Sequence, residues 1–390
     1  MITEYDIYKR NRLTLHCVFT LKSPLSHIGE VSGNVSNLKT IKLLDLENTP
    51  RSCFVYSGNA LRNGILRRVG TASALSDLGL FVNPDTHHTM FAGGRIDGST
   101  ACDMELDKKI RQLLPWLSVL GAAKPVNVFG TASSQMIAGR IAVGSAYLMC
   151  YESCLYIYNN LPGILPFGIS SAISQLLDSY PRDPFKAPTE QELRLVAERR
   201  EKLIPIIKKV LKSWTEFVTI DQVIRKDSLH EPNIRRFLSS ADNNSSGQLS
   251  LLPQDKPEKE SKKSDQMISS DRLIMPGSKL YSRWDLHCTD VEEGWVYNTL
   301  LKFSEAPYLG GKSNRGNGLV SLDVYYTCPD NDQSGLLCSL NSPTGDTAVR
   351  QCLSSRFQEQ VSRYNDYIAK YKTFLQSAKE SSSIKSFLNV

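Results

Sequence analysis

Three stretches of the chain hold residues whose types and spacing suit anion chemistry. Leu309-Gly310-Gly311-Lys312-Ser313-Asn314-Arg315-Gly316-Asn317-Gly318 sets two cations among four glycines. Glycine lets one backbone approach another closely, and Lys312 and Arg315 can meet phosphate. Ser57-Gly58-Asn59-Ala60-Leu61-Arg62, followed by Arg67-Arg68, gives residues 57–70 three positive charges and no acid. A helix opening there, capped by Ser57 or Asn59, would aim free amides and Arg62 at an anion. The alternative is a solvated basic helix face. Pro24-Leu25-Ser26-His27-Ile28-Gly29 adds His27, able to exchange a proton near neutrality, although a lone histidine more often packs or hydrogen-bonds.

Other chemistries fit poorly. Gly311-Lys312-Ser313 matches the last three positions of a phosphate-binding P-loop, but the motif's first glycine would fall at Ala306. A P-loop also opens a helix, whereas this stretch leads into a strand-like run. A tight turn with no ligand is the plainer alternative. Cys150 and Cys154 are four apart and His87-His88 are adjacent, with no second cysteine pair to close a tetrahedral site. No Ser-His-Asp or paired-carboxylate arrangement stands out. We expect no catalytic residue, cofactor or metal.

The elements that must position these residues follow from periodicity. Leu13–Leu21 alternates as a strand, and Ala60–Val69 reads as a helix. Between them, residues 23–52 read as a long loop. A helix is expected from Asp103 to Leu120, beyond a glycine patch at Gly93, Gly94 and Gly98, and a strand over Gly139–Tyr151. Residues 160–188 carry five prolines and are expected to meander. Thr189–Phe217 reads as a helix opened by a Thr189/Glu192 capping box and kinked at Pro205. Residues 239–270 are rich in Ser, Asn, Asp, Lys and Glu, too polar to offset ordering entropy by burial, and read as disordered or a mobile hairpin tip. Lys279–His287 is a strand, Val291–Phe303 a helix and Leu319–Thr327 a strand. Leu353, Phe357, Val361, Tyr364, Ile368, Tyr371 and Leu375 form one apolar stripe, predicting a helix docked on the core.

With the long stretches set aside as insertions, the order is strand, helix, strand, strand, helix, strand. That is the split βαβ pattern: an α+β, ferredoxin-like (RRM-like) antiparallel sheet with both helices on one face. The other face is expected to be open. RNA-recognition modules use it to bind bases, but their paired aromatic signature is absent here. At 390 residues the chain exceeds one ordinary domain, so two lobes or large insertions are expected. Lys+Arg of 46 against Asp+Glu of 40 leaves +6, which permits a nucleic-acid partner without demanding one. No run of about 18 apolar residues spans a membrane. Met1–Arg12 lacks an apolar core, which predicts no secretory signal, and the nine scattered cysteines then read as reduced cytosolic thiols.

Four stretches in this order resemble the RAMP superfamily of CRISPR effector complexes, in particular the backbone subunits that polymerise along guide RNA. They are SPLSHIG after the first strand, VYSGNALRNGILRRVG at the first helix, VFGTASSQMIAGRIAV before a core strand, and LGGKSNRGNGLVSL before the last strand. The length and the HTMFAGG stretch, His88–Gly94, look most like the type IV branch. Residues 160–270 match no motif of the family.

The resemblance implies a palm from residues 1–70, 128–151 and 273–330, a finger insertion at 71–127 and a helical insertion at 152–238. It leaves 239–272 as linker or thumb tip, with the thumb hairpin placed near Arg272–Ser282, and 345–390 as the docked C-terminal helix. It implies a prokaryotic, cytoplasmic protein whose partners are guide RNA, a target nucleic acid (DNA favoured), copies of itself in a filament and other effector subunits. RNA contacts carried over by position are His27, Ser57, Asn59, Arg62, Arg67, Gly310, Gly311, Lys312, Ser313, Asn314 and Arg315. RNA-cleaving relatives carry an aspartate in the loop after the first strand. Here Ser36 falls at that place in Gly33-Asn34-Val35-Ser36-Asn37-Leu38-Lys39, and serine cannot act as a carboxylate. Asp45 is nearby at the wrong spacing. A non-cleaving subunit is therefore expected, with a type III-like endoribonuclease as the alternative.

Overall fold

In the computed structural model of the protein, residues 10–79, 141–166, 168–180, 189–225, 267–330, 333–341 and 352–378 are described. The strands are β1 (Asn11–Leu21), β2 (Ile28–Ser32), β3 (Val35–Leu38), β4 (Thr40–Leu44), β5 (Pro50–Tyr56) and β6 (Ile141–Leu148), then β7 (Val218–Arg225), β8 (Met267–Ile274), β9 (Lys279–Cys288), β10 (Val320–Cys328), β11 (Gln333–Leu340) and β12 (Cys352–Leu353). Helix α1 joins three helical segments, Gly58–Leu61, Arg62–Thr71 and Ala72–Leu78, the middle one wound as a π-helix. The other helices are α2 (Cys154–Asn160), α3 (Ile169–Leu177), α4 (Glu190–Val210), α5 (Asp290–Phe303) and α6 (Ser355–Ala378).

The eight-stranded sheet runs β12-β11-β10-β1-β9-β6-β5-β4. Its centre, β10-β1-β9-β6, is antiparallel throughout. With α1 before β6 and α5 between β9 and β10, this is the expected ferredoxin-like palm. The period-two pattern of β1 sends Leu13, Leu15, Cys17, Phe19 and Leu21 to the helical face, into one core with Ile65, Trp295 and Leu300. Each such side chain is worth roughly 1.5–3 kcal/mol of burial. Thr289 caps α5 in a reciprocal box with Glu292. α6 closes over α5, where Gly294 lets the backbones approach: a Cβ there would lie 2.1 Å from the Gln360 carbonyl oxygen.

The opposite face is not open throughout. Val18 of β1 and Tyr281 of β9 are buried with Cys154, Ile157, Ile173 and Ile207 under α2, α3 and α4. The apolar residues of those three helices cover this part of the sheet.

Other expectations also change. Residues 23–52 are not one loop but contain β2, β3 and β4, and α3 lies within the stretch expected to meander. The Thr189/Glu192 box caps α4 as expected, but the helix stops at Val210, and Pro205 lies inside it without ending it. Residues 267–272, expected in a linker or at a mobile hairpin or thumb tip, belong to strand β8, which pairs antiparallel with β7. β2-β3-β8-β7 form a second, four-stranded sheet. The thumb stretch Arg272–Ser282 divides between β8 and β9. The glycine patch, the helix over 103–120, most of the finger, residues 239–266 and the start of the VFGTASSQMIAGRIAV run lie outside the described residues.

Candidate nucleic-acid interface

The turn after β1 lies between the end of β8 and the glycine loop. Leu25 and Ile274 exchange backbone hydrogen bonds of 3.0 and 2.9 Å, and Gly318 N–H donates to the Pro24 carbonyl at 2.7 Å. Tyr56, the last residue of β5, joins all three stretches. Its hydroxyl accepts from Gly310 N–H at 2.8 Å, and its ring packs on His27 with centroids 4.4 Å apart. His27 Nε2 accepts from Ser57 N–H at 3.2 Å. Burial, then the nearby Lys39 ammonium, lowers the His27 pKa to about 4, so near neutrality the ring is uncharged with its proton on Nδ1. Sequence reading passed over Tyr56, although it immediately precedes Ser57.

Several donors at the start of α1 are already engaged within the protein. Ser57 Oγ accepts from Ala60 N–H at 3.3 Å, so Ser57 is the cap. Gly58 N–H donates to Ser145 Oγ at 3.1 Å, and a Cβ on Gly58 would lie 2.4 Å from the Val143 carbonyl oxygen. The charge at this place comes from Arg62 and Arg67. Arg62 donates to Asn59 Oδ1 at 2.8 Å and Arg67 to Asn63 Oδ1 at 2.5 Å. The Nε of each is buried without a hydrogen-bond partner, and neither pairs with a carboxylate among the described residues. Burial, and then Arg62, lowers the Arg67 pKa.

The glycine loop has two different parts. Gly310 and Gly318 adopt positive φ where side chains would collide with backbone: a Cβ would lie 2.4 Å from the Ser26 oxygen and 1.8 Å from the Leu309 oxygen. Gly311, Ser313, Asn314, Arg315 and Gly316 form an exposed tip, so the loop is not walled off. Its cations are matched within the protein. Asp271 of β8 is 2.5 Å from Lys312 Nζ and 3.6 Å from Arg315 Nη1, and it also bonds Ser36. Burial would raise the Asp271 pKa, but Lys312, Ser36 and Arg315 together hold it below the usual value.

Asp45 belongs to a different device. Fully buried, it accepts from Glu47 and Thr49 N–H, each at 2.9 Å, and from Arg51 Nε at 3.3 Å, fixing the β4–β5 turn. No cluster of three or more His, Cys, Asp or Glu side chains among the described residues could hold a metal. No helix among them is long and apolar enough to cross a membrane.

No protein-family model and no curated protein matches the chain. Among solved structures it is similar to a chain of a type IV-B CRISPR complex, with a TM-score of 0.41 and 16% identity over 80% of this chain and 90% of that one.

Proposed function

We propose that this chain is a non-catalytic backbone subunit of a CRISPR effector complex, of the type IV kind. It grips guide RNA by the sugar-phosphate edge and repeats along it with copies of itself and other subunits. The bases stay free to pair with target, DNA by preference. The observation that carries this reading is the meeting of three sequence-distant stretches at Tyr56, with two guanidinium groups on the helix that opens there that no described carboxylate neutralises. Unmatched cations are what a phosphate backbone attracts without regard to base sequence.

The RNA-cleaving alternative needs a free carboxylate or a titrating histidine. Asp271 lies beside Ser36 but is held by Lys312 and Arg315. Asp45 is locked in its turn, and His27 is a neutral acceptor. These facts support the non-cleaving reading.

Expression with a CRISPR array tests it. The expected product is a particle with many copies of the chain and a protected RNA of defined length. Particles without nucleic acid would refute the proposal. Regularly spaced cuts in labelled complementary RNA with Mg²⁺ would favour the alternative.

A further inference from the structure

Beside the Tyr56 junction lies a groove of about 790 Å³ between one face of the small sheet and the β4–β5 edge. Trp214 forms part of its wall, with Lys39 and Arg272 on the lining. Both cations are exposed, and neither makes an ion pair with a described carboxylate. Glu30 is the acid on the lining, and Asn37 and Thr215 add hydrogen-bonding groups. The volume lies within the roughly 300–1,000 Å³ of small-ligand clefts, room for a nucleotide.

The turn that carries the indole is held in place. Trp214 backbone N–H donates to Glu152 Oε2 at 3.0 Å, Ser213 and Glu216 cap the same turn, and the half-buried ring packs partly against the core. A ring packed on one side in this way offers its other side for stacking. The groove is also continuous with the junction. Lys39 N–H donates to the His27 carbonyl at 2.9 Å, and Val55 N–H donates to the Lys39 carbonyl at 3.0 Å, one residue before Tyr56. A Cβ on Gly29 would lie 2.7 Å from Lys39 Cα, so the chains there are in direct contact.

We propose that this groove is a nucleotide subsite for single-stranded RNA. One base stacks on Trp214, and its flanking phosphates lie against Lys39 and Arg272. An aromatic wall between unmatched cations is how proteins hold single strands without reading sequence. The subsite rests on the RNA-binding reading above and extends it. Its cations are distinct from Arg62 and Arg67.

The test uses the full chain and a short oligouridylate carrying 5-iodouridine. Photo-crosslinks mapped by mass spectrometry should fall on Trp214. Trp214→Leu, which keeps apolar bulk, should remove that crosslink and weaken binding by about five- to 150-fold. Lys39→Ala with Arg272→Ala should lower the salt slope by about 1.4, at roughly 0.7 per single-strand phosphate. Thermal melting of each variant reports folding. Crosslinks confined to α1 or the glycine loop, with Trp214→Leu folded and binding as wild type, would overturn the subsite and leave the RNA reading intact. No binding by the wild-type chain would overturn both.

Discussion

Asp271 changes what Lys312 and Arg315 can be expected to do. From sequence they are phosphate contacts. In the structure they are the counter-charges of a carboxylate whose side chain is 5% exposed. Removing them strands that charge with Ser36, at a cost of about 3–5 kcal/mol. Lys312→Ala with Arg315→Ala should therefore lower the melting temperature, and adding Asp271→Asn should restore most of it. If the double variant melts as wild type does, the ion pair contributes little. The buried histidines give a second residue-scale outcome. His16, bonded to Tyr281 and Thr327, also has its pKa lowered to about 4, by burial and then by Arg283. Both folded pKa values lie below the ordinary histidine value of 6.5, so the unfolded chain binds more protons between about pH 6.5 and 4. Stability should be full above that window and fall as the pH drops through it, by about 1 kcal/mol for each ring after solvent screening. His27→Gln, which can still accept from Ser57 N–H, should flatten part of the slope in melts across that range.

Glycines of the same loop serve different ends, and substitution separates them. Gly316 has φ 78° and open space around its Cβ position, so Gly316→Ala meets backbone strain alone, on the order of 1 kcal/mol. Gly318 has φ 86° and a Cβ position 1.8 Å from the Leu309 oxygen, so Gly318→Ala must also displace the backbone that joins the loop to Pro24. Its cost should exceed that of Gly316→Ala by about 2 kcal/mol or more, read as a larger drop in chemical-denaturation midpoint. Equal midpoints would mean the loop re-forms without its close contact. The same scale shows what the sequence could disclose. The palm strands were legible because their helix-facing positions are apolar at every second residue, as in Leu13, Leu15 and Cys17. β2 was not: all five of its residues are exposed, so burial wrote no apolar period into it. β8 was hidden because its middle, Ser269–Arg272, is polar, and its pairing with β7 and β3 runs through the backbone. The π-helical segment hid the Arg62–Arg67 neighbourhood. Residues five apart sit about 140° apart on an α-helix, whereas i→i+5 bonding brings them toward one face.

Across the whole molecule, the site depended on distance in sequence being removed by the fold. Tyr56 looked ordinary in its own stretch, His27 and Gly310 stood in separate ones, and only the palm order brings β1, β5 and the approach to β10 to one place. That convergence also sorts the cations by their expected effect on RNA. Lys312 and Arg315 share a carboxylate, whereas Arg62 and Arg67 have amide partners and no matching charge among the described residues. Counterion release counts charge delivered to phosphate, so the α1 pair should dominate the salt dependence that this region contributes. Arg62→Ala with Arg67→Ala should lower the slope of log affinity against log salt by about 1.4 on single-stranded RNA. The melting temperature should hold or rise, because two guanidinium groups that repel one another and leave buried Nε atoms unbonded are removed. Gly318→Ala should do the reverse, lowering stability with little change in slope. A filter-binding titration across salt concentrations, run beside thermal melts, reads both quantities on the same preparations. An unchanged slope in the folded double-arginine variant would remove α1 from the RNA path, and the strand would then have to be sought along the groove at Trp214.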